Sequence, residues 1–150
     1  MRTLGQIVED TAPFPNNIIE QLPPRGDDYV KWTHYTQRVL LQHGAHRYEV
    51  TNVTAVPSST KQFQSLDGDN RPELDASGAP LLVTRTRHVW AVSVRLFLSD
   101  DEWYDAVGED DTPTAAESNA YKRACAHAGI GLHLYGSFWL HDRLQRTDDE

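Results

Sequence analysis

Asn119, Lys122, Arg123 and His127 fall three and four residues apart, so a helix carrying them turns all four side chains toward one partner. Two cations beside an amide and an imidazole suit a polyanion. A second set, Arg85, Arg87 and Arg95, occupies odd positions of a segment whose even positions Trp90, Val92, Val94, Leu96 and Leu98 are apolar. On a strand, that alternation sends one face into a core and leaves a row of guanidinium groups on the other. Arginine's planar fork matches phosphate oxygens, and aromatic rings interleaved with cations stack on exposed bases. His88 is close by, and parity places Trp90 with the core.

Other groups carry less. Asp100, Asp101, Glu102, Asp105, Glu109, Asp110 and Asp111 could in principle hold Mg²⁺ for a nuclease, but they lack the calcium-loop spacing. No H-E-x-x-H occurs, and His34, His43, His46, His88, His127, His133 and His141 are scattered. Cys125 is the one cysteine, so neither an internal disulfide nor a cysteine zinc cluster is expected. No metal ligands, catalytic set or cofactor are assigned, and without a phosphate-binding glycine loop ATP-driven chemistry is not expected. The chain reads as a non-enzyme.

Positioning these residues requires particular elements. Residues 1–27, with Pro13, Pro15, Pro23 and Pro24, read as an irregular N-terminal arm with at most a short helix near Asn17 to Leu22. From Asp28 to His43, Tyr29, Trp32, Tyr35, Val39 and Leu40 recur with helical spacing, and Gly44 stops the helix. His46 to Val56 reads as a strand, Pro57 to Pro80 as a long mobile connection, and Leu82 to Leu98 as a long strand. Glu102 to Val107 pairs back on it to complete a three-stranded meander. Pro113 opens a second helix, with a capping box from Thr114 and Glu117, and Gly129 ends it. A small-residue stripe, Ala116, Ala120 and Ala124, lets that helix lie close on the sheet. A short terminal helix and an acidic tail, 147–150, follow. The class is α+β, with one domain over 28–146.

A chain of 150 residues with 39% apolar and 24% charged residues folds around one core. Its net charge of -8 argues against coating nucleic acid through bulk charge, so any polyanion site is local. The three arginines of 82–98 stand apart from the acids of 100–111, which leaves room for a basic groove shared by strand and helix. No segment is long and apolar enough to cross a membrane, and the start lacks the apolar run of a signal peptide, so a cytoplasmic location is expected.

The run from Gly108, GEDDTPTAAESNAYKRACAHAGIGLHLYG, resembles the core of the Rad fifty-two/Rad twenty-two-type single-strand annealing superfamily, with its phage Sak-type and DdrA-type members. The shared pattern is an A-x-S-x-A-x-KRA helix followed by GIG-x-x-LY, after a strand ending in VG. The resemblance implies a β-β-β-α core assembling into rings or arcs, and ATP-independent binding and annealing of single-stranded DNA in recombination or double-strand break repair. A single-strand binding protein or an exonuclease would be a further partner. Carried over residue by residue, Lys122 and Arg123 face the DNA backbone, with Asn119 and His127 beside them and Arg25 near the same groove. A metal-dependent nuclease and a non-annealing single-strand binding module are the competing readings.

Overall fold

The computed structural model describes residues 1–23 and 26–135, together with the backbone of 138–140 and 143–145. In chain order the elements are α1 (Leu4–Thr11), β1 (Glu20–Leu22), β2 (Asp27–Tyr29), α2 (Trp32–His43), β3 (Arg47–Gln64), β4 (Leu82–Ser99), β5 (Glu102–Asp110), α3 (Pro113–His127), β6 (Phe138–Leu140) and β7 (Arg143–Gln145). Strands β3, β4 and β5 form an antiparallel meander in that order, while β1–β2 and β6–β7 are separate two-stranded ladders. The fold is α+β, with a helix packed on a three-stranded sheet as the alternation predicts.

Register follows from which face is buried. Val92, Val94, Leu96 and Leu98 of β4 lie under α3, which contacts the sheet through Ala116, Ala120, Ala124 and Cys125, each with 0% exposure. Trp90 packs against the same core. The approach is close enough to require glycine on β5. A Cβ on Gly108 would lie 2.2 Å from both Ala116 O and Ala120 N. Beyond α3, Gly131 turns the chain at φ +71° against Tyr35 and Phe14, so the GIG stretch has a packing reason of its own.

Helix α3 opens at Pro113 as expected, but its cap departs from the expected box. Thr112 is the cap, accepting from Ala115 N–H at 3.2 Å, with Pro113 in the first turn. The cap therefore lies two residues before the anticipated one, and Glu117 instead accepts the Tyr48 hydroxyl at 2.8 Å.

The N-terminal arm is not irregular. A capping box between Thr3 and Gln6 opens α1, and Pro13 and Pro15 fall after the helix rather than inside it. Asp10 is fully buried and receives Arg2 Nη1 at 2.8 Å and His43 Nε2 at 2.9 Å. Arg2 also donates to Glu102 at 2.9 Å and to Ala128 O at 2.6 Å. One guanidinium thus joins α1 to β5 and to the end of α3, and Asp10 adds α2. The helix expected from Asp28 begins at Trp32, because 27–29 pairs with β1 instead.

The connection expected over 57–80 is largely ordered. Strand β3 continues through Pro57, which an edge strand tolerates, and bulges lie between Val50 and Asn52 and between Pro57 and Ser59. Strand β5 reaches only the Trp90 register, so β3 and β4 run on as a two-stranded shaft to the Gln64–Leu82 pair. At ~3.3 Å per residue the shaft projects about 25 Å beyond the body. Among the described residues of the expected terminal helix, the backbone of 138–140 instead pairs antiparallel with 143–145, as the aromatic and apolar residues there favour. Residues 147–150 lie outside the described residues.

Candidate nucleic-acid interface

Opposite α3, the sheet presents the face predicted for Arg85, Arg87 and Arg95, and β3 enlarges it. Register places Arg47 beside Phe97, Lys61 beside Arg85, and Phe63 beside Val83 on this face. Strand β5 adds Trp103 beside Phe97 and Asp105 beside Arg95. Cations and rings interleave: Arg47 lies 4.1 Å from the Phe97 ring centroid, Arg95 5.7 Å from Trp103 and Arg85 5.8 Å from Phe63, while the Phe97 and Trp103 centroids are 6.4 Å apart. Lys61, Arg47, Phe63, Phe97 and Trp103 were not singled out from sequence. Once β3 is known to pair with β4, their parity identifies them.

These cations are not equivalent. Arg95 is held by Asp105 through two hydrogen bonds of 2.7 and 2.8 Å, and this pairing holds the Asp105 carboxyl below its ordinary range. Arg87 pairs with Asp111, and Arg47 lies 3.5 Å from Glu49. The shaft segments 57–64 and 82–89 carry Lys61, Arg85 and Arg87 but no carboxylate of their own. The acids of β5 therefore do not face away from the arginines, as their separation in sequence suggested. Hairpin pairing brings Asp105 onto the arginine row, Asp111 just beyond the strand meets Arg87, and the basic character is strongest on the shaft.

The helix residues occupy a different place. Lys122 is only 7% exposed, with its Nζ 4.2 Å from the Tyr29 ring centroid, and burial pushes its ammonium below the ordinary range. Tyr29 of β2 lies against it. Asn119, Arg123 and His127 line the free edge of β5: Asn119 donates to Glu109 O at 3.3 Å and to Asp110 at 3.0 Å, Arg123 to Val107 O at 2.6 Å, and His127 Nδ1 to Asp105 O at 2.9 Å. Alternate carbonyls that would form an open sheet edge are thus capped by side chains one helical turn apart. The helix set and the strand set lie on opposite sides of the sheet and do not line one groove within the chain. Arg25 lies outside the described residues.

At the end of the shaft sits a feature missed in sequence. Leu66-Asp67 to Pro72 and Leu74-Asp75 to Pro80 repeat with a period of eight. Each forms the same small turn: Asp67 Oδ1 accepts from the N–H groups of Asp69 and Arg71, and Asp75 Oδ1 from those of Ser77 and Ala79. Bridges Leu66–Pro72 and Leu74–Pro80 close the turns. Ser65 N–H donates to Leu81 O, Leu81 N–H to Glu73 O and Glu73 N–H to Ser65 O, a cyclic trio that joins both turns to the shaft.

The remaining polar groups are dispersed. Glu102 meets Arg2, Asp105 meets Arg95, Asp110 meets Asn119 and Asp111 meets Arg87. Among the described residues no three histidine, cysteine or acidic side chains converge as a metal site. Cys125 is buried, and desolvation pushes its thiol up to about 12. His133 is buried, accepts from Phe14 N–H at 3.2 Å and is held neutral, its pKa lowered to about 4 by desolvation. No described helix is long and apolar enough to cross a membrane. Compared with models of known protein families and with curated proteins, the chain matches none.

Proposed function

We propose that the chain is an ATP-independent single-stranded DNA binding and annealing protein of recombination or repair, acting as a homo-oligomer. The observation that carries this reading is the face opposite α3, where Arg47, Lys61, Arg85 and Arg87 interleave with Phe63, Phe97 and Trp103. Cations hold phosphates without reading sequence, and rings stack on any base, leaving base edges free to test a second strand. Pairing then supplies the free energy, on the order of 1.4 kcal/mol per stacked step, so no nucleotide hydrolysis is needed. The β-β-β-α order agrees with the resemblance around α3, but the DNA contacts move from Lys122 and Arg123 to the shaft. The nuclease reading has less support, since the acids of 100–111 are spread over separate partners.

The test is fluorescence polarisation with labelled single-stranded oligonucleotides of mixed sequence. Lys61→Glu/Arg85→Glu should weaken binding at least tenfold for every sequence and flatten the salt dependence by about 1 to 2 in log–log slope. Lys122→Met should leave affinity unchanged. Full affinity in the shaft variant together with loss in Lys122→Met would return the site to α3.

A further inference from the structure

On the α3 side of the sheet, Trp32, Tyr48, Tyr121, Thr114, Ser118 and Glu117 line a half-open cavity of about 140 Å³. Its walls are prearranged. The Tyr48 and Tyr121 rings meet at 59° with centroids 5.2 Å apart, and the Tyr121 hydroxyl is fixed by Thr36 at 3.3 Å and His46 at 3.1 Å. The Tyr48 hydroxyl donates to one Glu117 oxygen, which leaves the other free. Among the described residues Glu117 has no ion-pair partner. Farther along β3, Val50 and Val53 share Tyr48's side of the sheet yet are 43% and 48% exposed, because α3 covers β4 and β5 instead.

We propose that this cavity takes the guanidinium or ammonium group of an arginine or lysine side chain from a partner protein, with the partner's flanking apolar residues lying on Val50 and Val53. A carboxylate among aromatic faces is complementary to a cation and repels phosphate. The net charge of -8 adds a long-range field of the same sign. The apolar strip beside the cavity suits a peptide segment better than a free ion. This site is separate from the shaft, on the other side of the sheet, and does not depend on DNA binding.

The probes are N-acetyl-arginine amide and N-acetyl-lysine amide, followed by the Trp32 indole N–H signal in NMR, assigned through Trp32→Phe. Both should shift that signal saturably at millimolar concentration. N-acetyl-norleucine amide, cytidine and inorganic phosphate should not. Glu117→Gln should weaken the response at least tenfold with an unchanged melting temperature, whereas Tyr48→Phe, which frees the second carboxylate oxygen but keeps the ring, should retain it. Absence of any shift, an equal response to norleucine amide or cytidine, or an unaltered response in a folded Glu117→Gln would each overturn the proposal.

Discussion

Gly108 and His133 show how single positions constrain this fold. Gly108 is where the backbones of β5 and α3 nearly touch, so a methyl group there has no flexible neighbour to displace. Gly108→Ala should cost about 3 kcal/mol, seen as a melting temperature lower by about 6–12 °C. A melt within 2 °C of wild type would show that the helix can lift from the sheet without penalty. His133 titrates at about 4 in the fold against an ordinary value near 6.5. The unfolded chain therefore binds the extra proton first, and stability falls as pH drops from about 6.5 toward 4, by on the order of 2 kcal/mol at pH 4.5. His46, also lowered by burial, acts in the same direction. Urea midpoints at pH 7 and pH 5 check this. His133→Gln, which keeps an acceptor for Phe14 N–H, should flatten most of the difference.

At the scale of elements, β4 was legible because only one of its faces is buried, and α3 because its alanine stripe and its stop at Gly129 are local signals. The shaft was not. Both of its faces are exposed, so no hydrophobic contrast marks it, and Pro57, Pro72 and Pro80 read as loop residues. The eight-residue Leu-Asp repeat was the available signal for its end. Lys122 was misjudged for a different reason: the cover comes from Tyr29, some ninety residues earlier, and nothing in the helix itself reports it. The N-terminal arm was obscured by its prolines, although Thr3 and Gln6 already spell a cap. Asp67→Ala/Asp75→Ala should loosen only the end of the shaft, where each aspartate oxygen holds two backbone N–H groups of its turn. Limited proteolysis should then cut between residues 65 and 81, with the thermal melt of the body unchanged. Unaltered resistance would mean the cyclic backbone trio suffices without the aspartates.

Across the whole molecule, structure rather than total composition decides where charge is presented. A chain of net charge -8 keeps a basic shaft because segments 57–64 and 82–89 carry no carboxylate, and Glu102, Asp105 and Asp110 are taken up on the body by Arg2, Arg95 and Asn119, while Asp111 alone reaches the shaft at Arg87. Such a site is short in one copy, and assembly would lengthen it along a DNA strand. Annealing is measured as the rate at which complementary labelled single strands pair without ATP, with and without chelator. Wild type should accelerate pairing regardless of chelator and less so as salt is added, and Lys61→Glu/Arg85→Glu should lose the acceleration. Pairing no faster than that of protein-free strands, or strands shortened only when Mg²⁺ is present, would contradict an annealing function.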